Sequence, residues 1–282
     1  MRLRSLLFVP GDRPDRMEKA MGLGADALIL DLEDSVALSA KGAARSAVAA
    51  FLARPRTLPL FVRINPLDGG LAGDDLAAVV GARPDGIVLP KAEGAQSLRD
   101  LDARLTALGD GQARILPIAT ETPAAIFTLG SYGGVTARLC GLTWGAEDLP
   151  AAIGATAART DDGRFTPPIE VARALTLFGA HAAGVAAIET VYPDFRDLEG
   201  LAAYAARGRR DGFSGMMAIH PSQIAVINAA FSPSEAEVAH ARAVIDAFAA
   251  APGAGVLSLD GKMIDRPHLI AAQRIIAATQ MS

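Results

Sequence analysis

Charged and strongly polar residues recur in this chain at one kind of place, just beyond a short apolar run. "ALILDLED" (27–34) closes on Asp31, Glu33 and Asp34, and "LFVRIN" (60–65) on Arg63 and Asn65. "GIVLPK" (86–91) delivers Lys91, "RILPIATET" (114–122) delivers Glu121, and "GLTWGAEDLP" (141–150) delivers the adjacent pair Glu147 and Asp148. "AAIETVYPD" (186–194) contributes Glu189 and "GMMAIHP" (215–221) contributes His220. Isolated loop acids are commonplace, but the same arrangement run after run gathers many of them at one end of a fold.

The acids suit a hard divalent cation. Mg²⁺ takes oxygen ligands and is typically held by one or two carboxylates, with water and substrate oxygens completing the shell. Glu121 and Asp148 follow neighbouring runs and could share one ion. Asp148 has a plainer alternative as the cap of a following helix, with Pro150 in its first turn, and Glu147 beside it would support the loop. Zinc is not indicated, because there is no Cys/His cluster and the four histidines lack ligand spacing. Arg63 can fork onto a carboxylate or stabilise a developing oxyanion, and an ion pair with the acids of "DLEDS" would hold it in place. Lys91 would contact a phosphate or carboxylate, or simply neutralise the acids. His220 is either a base or the residue that orients its loop.

Eight apolar runs position these groups: 5–10, 27–34, 60–65, 86–91, 114–122, 137–145, 186–194 and 215–221. Most are too apolar to be half exposed, and Ala/Leu-rich segments with charges at helical spacing separate them. That alternation predicts a parallel sheet covered by helices, and eight units match a (β/α)8 TIM barrel, whose chemistry sits where strands end. A doubly wound sheet is the alternative, but "VPGDRPD" after the first run is no glycine fingerprint. Residues 1–230 are therefore expected to form the barrel, and 231–282 a C-terminal helical extension or oligomerisation arm. In that extension Ser232 or Ser234 would cap a helix, and a hairpin-like piece and a final helix would follow.

Bulk properties exclude several classes. The chain of 282 residues is 51% hydrophobic and carries a formal charge of −4, with no basic stripe for nucleic acid. No run approaches the ~18 apolar residues of a membrane span, and the N-terminal apolar run is short for a signal peptide. The expectation is a cytoplasmic protein without membrane or nucleic-acid partners. The single cysteine, Cys140, reads as a small core residue.

The runs "RSLLFVPG", "GADALILDLEDSV", "VRIN", "GIVLPKAE", "ETP", "GAEDL", "AIHPSQI" and "DGKMIDRP", in this order, resemble the citrate lyase β-subunit-like family. It is a branch of the HpcH/HpaI aldolase group that includes malyl-CoA, citramalyl-CoA and citryl-CoA lyases. The resemblance implies a Mg²⁺-dependent carbon–carbon lyase that cleaves a 3-hydroxy-3-carboxyacyl-CoA thioester to a 2-oxo acid and an acyl-CoA. It maps Glu121 and Asp148 onto the metal ligands and Arg63 onto the group facing the reacting oxygens. Glu33 and Asp34 would hold the metal's waters and Arg63. Asp265 would serve a neighbouring subunit of a homotrimer as the proton-transferring acid or base. Arg13, Lys19 and Lys91 are the candidates for contacts with the CoA thioester.

One departure is visible. Where the family commonly has Gly-Lys before "AIHP", this chain has Gly215 and Met216, which leaves thioester affinity or substrate choice open. Three other readings stay open. One is a citrate lyase β subunit acting on a citryl-acyl carrier protein beside other subunits. Another is a malyl-CoA-type thioesterase, and the third is a non-catalytic CoA- or metabolite-binding scaffold.

Overall fold

Ala27–Asp31 is buried at every position, as is Gly86–Leu89, and a strand buried on both faces belongs inside a helix-covered parallel sheet. The computed structural model, which describes residues 1–280, arranges eight such strands in one sheet. They are β1 (Ser5–Pro10), β2 (Ala27–Asp31), β3 (Leu60–Arg63), β4 (Gly86–Leu89), β5 (Arg114–Pro117), β6 (Gly141–Thr143), β7 (Ala186–Glu189) and β8 (Gly215–Ala218). The order is β5-β4-β3-β2-β1-β8-β7-β6, and every ladder is parallel. Two isolated parallel bridges, Ile115 to Leu139 and Ile118 to Thr143, link β5 to the β6 segment and nearly close the barrel.

Helices α1 (Pro14–Ala20), α2 (Lys41–Leu52), α3 (Ala72–Val79) and α4 (Ala95–Ala107) follow the first four strands. The short α5 (Pro123–Ile126) and α6 (Asp148–Ala152) come next, then α7 (Pro167–Ala182), α8 (Leu198–Asp211) and α9 (Gln223–Ala230). Leu6, Ile29, Phe61, Val88, Leu116 and Ile188 pack in one cluster across the strands. Cys140 packs against that cluster, and burial pushes its thiol up to about 12.

Beyond β1, the strands are shorter than the apolar runs. β2 stops at Asp31 and β3 at Arg63, while the run 137–145 is a strand only over Gly141–Thr143. The reason is local: side chains at the strand ends take over the backbone donors. Asp31, for example, accepts from the Glu33 and Ser35 N–H groups at 2.9 and 3.1 Å, which turns the chain out of the ladder.

Leu3–Asn228 is one compact unit and Ala229 onward, with Met1 and Arg2, is another. In the second, Ser234 rather than Ser232 caps α10 (Glu235–Ala250), through a capping box with Glu237. The hairpin of β9 (Val256–Leu259) and β10 (Lys262–Asp265) turns on Asp260 and Gly261, both at positive φ (49° and 74°) as a two-residue hairpin loop requires. Ala241 and Val244 of α10, Ile264 of β10 and Ala272 of α11 (Arg266–Gln280) form the buried centre of this unit. Among the described residues no helix is long and apolar enough to cross a membrane.

Candidate active site

Asp31 and Arg63 end paired strands, in register with one another, so their side chains meet side by side. Arg63 Nε and Nη2 each lie 2.7 Å from one oxygen of Asp31, a bidentate fork. Its third nitrogen, Nη1, is 2.9 Å from Glu33 Oε2 and 3.5 Å from Asp34 Oδ2. Arg63 also lies over the Phe8 ring, 4.8 Å from its centre. Burial acts to raise the Asp31 carboxyl, but the Arg63 hydrogen bonds and charge outweigh it and hold it below the ordinary range. Glu33 goes the other way, with burial raising its carboxyl despite Arg63 and Lys91. Although Glu33 Oε2 is within ion-pair distance of Arg63, it is not aligned for a hydrogen bond and stays a buried acceptor without a donor.

Lys91 follows β4 in a left-handed conformation, φ 50°, which is strained for a residue with a side chain. Its N–H donates to Glu121 Oε2 at 2.6 Å. Its ammonium lies 3.3 Å from Glu33 Oε1 and 3.2 Å from Asp148 Oδ1. Burial lowers the Lys91 pKa, but Glu33, Glu121 and Asp148 together raise it further. Glu121 itself is buried, and burial, with the nearby charges of Glu33 and Asp148, pushes its carboxyl up to about 7.

The loops bearing Glu121 and Asp148 are tied to each other. Thr120 Oγ1 donates to the Gly145 carbonyl and accepts from the Gly145 N–H, both at 3.1 Å. A Cβ at Gly145 would sit 3.0 Å from Glu121 Cγ, close enough that the Glu121 side chain would have to give by a few tenths of an ångström. Asp148 is the first residue of α6, not its cap, and its carboxylate is turned to Lys91. Glu147 occupies the cap position without a side-chain capping bond and is exposed.

Part of this cluster borders a cleft of about 450 Å³, while Glu33 and Lys91 stand behind its lining. Asp31, Asp34, Arg63, Glu121, Glu147 and Asp148 form its polar side, and Phe8, Ile118, Val191 and Met217 an apolar one. Neither Arg13 nor Lys19 is part of the lining. Arg13 is paired with Asp15 at 3.0 Å, Lys19 is exposed, and Arg16 of the same helix lines the cleft instead. His220 stacks on Phe195 (ring centres 4.6 Å apart) and contacts Ser222 Oγ at 2.8 Å, while its neighbour Ile219 lines the cleft. Met216 is fully buried and absent from the lining, whereas Met217, pointing to the other side of the strand, belongs to it. Asp265 lies in the second unit, where its Oδ1 is 2.5 Å from His268 Nδ1.

The model of the HpcH/HpaI aldolase/citrate lyase family matches residues 4–221. The chain belongs to this family. A member from Escherichia coli (strain K12), citrate lyase subunit beta, is 35% identical over 288 residues, 99% of this chain and 94% of that protein. The (3S)-malyl-CoA thioesterase of Cereibacter sphaeroides (strain ATCC 17025 / ATH 2.4.3) is also 35% identical, over 98% of this chain and 94% of that one. Among solved structures, CitE from Mycobacterium tuberculosis in complex with magnesium, acetoacetate and coenzyme A aligns with a TM-score of 0.82 at 33% identity, covering 98% of both chains.

One support of this HpcH/HpaI site, Lys41, was not foreseen from sequence, and one acid grouped with the site, Glu189, lies apart from the cleft. The Lys41 ammonium, buried at the start of α2, donates to the Leu32 and Glu33 carbonyls at 2.6 Å each and so fixes the acid-bearing loop. Glu189, one more acid at a strand end, faces away from the cleft and is consumed by Arg173, Trp144 and Tyr204. Arg16 had a readable signal: Pro14 starts the helix, Met17 and Ala20 bury, and Asp15 is spaced to occupy Arg13.

Proposed function

We propose that this protein is a Mg²⁺-dependent carbon–carbon lyase that splits a 3-hydroxy-3-carboxyacyl-CoA thioester, of the malyl, citramalyl or citryl type, into a 2-oxo acid and an acyl-CoA, or joins them. The observation that carries the reading is the convergence of Glu121 and Asp148 at one cleft beside Arg63. The donors suit the ion. Glu33, Glu121 and Asp148 gather around Lys91, and the crowding of Glu121 by burial and by the other two carboxylates leaves the cluster room for further positive charge. Among the described residues no three His, Cys, Asp or Glu side chains form a ready cage. Two carboxylates with water and substrate completing the shell is how Mg²⁺ is commonly held. The CitE neighbour named with magnesium, acetoacetate and coenzyme A adds support from outside.

Glu121 and Asp148 would hold the ion, which when bound would polarise the substrate's hydroxyl and carboxylate oxygens. Arg63, permanently charged and braced by Asp31, would stabilise negative charge on the substrate oxygen as the carbon–carbon bond breaks. Glu33 and Asp34 would keep Arg63 and nearby water in place. Arg16 would meet the thioester's anionic portion at the cleft, with Arg13 and Lys19 further along the same segment. Asp265 of a second copy, in a homotrimer, would give a proton to the enolate carbon of the acyl-CoA or remove it in the condensing direction. Neither nucleic acid nor membrane has a part in this reading, which belongs to the cytoplasm.

Two further readings each rest on one relative. Thioester hydrolysis is supported by the equal identity to (3S)-malyl-CoA thioesterase. A carrier-protein-bound substrate, with further citrate lyase subunits, is supported by the citrate lyase subunit beta match. Purified protein with Mg²⁺, offered malyl-, methylmalyl-, citramalyl- and citryl-CoA beside an Asp148→Ala control, tests all three. Oxo acid released only by the wild type is the expected result. Free CoA without oxo acid would make it a thioesterase, and silence on every thioester would favour a carrier-bound substrate.

A further inference from the structure

Glu189 is fully buried at the end of β7, and both of its oxygens are engaged. Oε1 accepts from Trp144 Nε1 at 2.6 Å, Tyr204 Oη at 2.8 Å and the Thr190 N–H at 3.0 Å. Oε2 accepts from Arg173 Nε at 2.8 Å, and Arg173 continues to Asp211 at 2.7 Å. A buried ion pair is weak evidence for stability, since well-packed apolar residues often serve as well. Two of its tethers lead instead to the cleft. Thr190 lines it, and Trp144 immediately precedes Gly145, Ala146, Glu147 and Asp148, all of which line it. The indole is otherwise held by packing alone, edge-on to Phe165 with ring centres 5.3 Å apart.

We propose that Glu189 and Trp144 form a positioning pair that sets the Asp148 loop for metal binding. Rested on the reading of Glu121 and Asp148 as the ligands, the pair acts from outside the cleft. Thr120 holds the loop at Gly145 from the Glu121 side, and Glu189 holds the preceding residue from the β7 side. Two adjacent fixed points, Trp144 and Gly145, anchor the start of the short stretch to Asp148 from two neighbouring strands, so the carboxylate is placed without depending on the ion to order it.

Trp144→Phe and Tyr204→Phe each remove one donor from the same Glu189 oxygen, but only the first is attached to the metal loop. Both are expected to lower Tm. Only Trp144→Phe should weaken Mg²⁺ binding, at least tenfold by isothermal titration calorimetry, with Tyr204→Phe matching the wild type. Equal Mg²⁺ affinity in wild type and Trp144→Phe, or equal weakening in both variants, would overturn the inference. Trp144 is the only tryptophan, so emission from the unmodified protein decides the matter if that variant does not fold. Because the pair sets the loop before the ion arrives, emission should stay unchanged as Mg²⁺ saturates, and a shift in emission alongside calorimetric binding would count against the pair. Wild-type protein that binds no Mg²⁺ would overturn the metal reading itself, and this inference with it.

Discussion

The Arg63 guanidinium is fixed by Asp31, at 2.7 Å to each carboxylate oxygen, before any substrate arrives. A lysine at 63 would keep the charge but lose the fork and the planar group over Phe8. Arg63→Lys is therefore expected to lower kcat by about 10²-fold or more, the scale of losing one oxyanion donor, with less effect on KM. Steady-state kinetics check this, and an unchanged kcat would remove Arg63 from the reaction.

The same pair sets an acid limit on stability. Because the Asp31 carboxyl is held below its usual range in the folded chain, the ionised pair stabilises the fold fully above the unfolded value of about 4. That contribution is lost as pH falls through the lower folded value. The stability gap between wild type and Asp31→Asn should be constant from neutral pH down to about 4 and narrow below it. Denaturant unfolding from pH 7 to 3 measures the gap, and one that widens in acid would contradict the assignment.

Gly145 gives a steric prediction. A methyl group there would meet Glu121 Cγ at 3.0 Å, so Gly145→Ala should displace the Glu121 side chain or open the Thr120–Gly145 link. Mg²⁺ affinity measured by calorimetry should fall at least several-fold while far-UV circular dichroism stays unchanged. Affinity equal to wild type would mean that Glu121 is not held by this close approach.

Met216→Lys tests the departure seen in the sequence. The position is fully buried and pairs in register with Glu189, on the side of β8 opposite to Met217. A lysine placed there cannot reach the cleft, so the KM for the thioester should not improve. Stability should fall by roughly several kcal/mol unless the ammonium finds a partner. A several-fold drop in KM would show that position 216 does face the thioester.

How much of this could be read from residues alone follows from range. The barrel was legible because Ala27–Asp31 and its counterparts are apolar throughout, which parallel strands buried on both faces demand. The cluster of Asp31, Arg63, Glu121 and Asp148 was legible because each stands just past such a run. Glu189 looked the same in sequence, and only Arg173, 16 residues earlier, and Trp144, 45 residues earlier, turn it outward. Neutralisation of the acids by Lys91 was among the readings of the sequence, but its particular partners Glu33 and Asp148 were hidden, since the contact joins three loops and depends on a left-handed backbone that no neighbouring residue announces.

Asp265 carries the last prediction. Its Oδ1 lies 2.5 Å from His268 Nδ1, and its own N–H points to the same nitrogen at 3.3 Å. The imidazole shares a proton with the carboxylate when Nδ1 carries it and donates to Oδ1; in the other tautomer Nδ1 accepts the Asp265 N–H instead. The hydrogen bond from His268 is the main reason the Asp265 carboxyl sits below its ordinary range. His268→Leu removes what favours the ionised form and raises the Asp265 pKa. If Asp265 is the base of the condensing direction, its active form is then lost at a higher pH. The acid limb of the condensation rate should move upward in His268→Leu, and the rate well above that limb should change less. His268→Gln, which can still accept the Asp265 N–H, separates this from simple capping of α11. If the glutamine variant recovers thermal stability and not the wild-type pH profile, the shared proton matters to turnover. If it recovers both, His268 serves only to cap the helix.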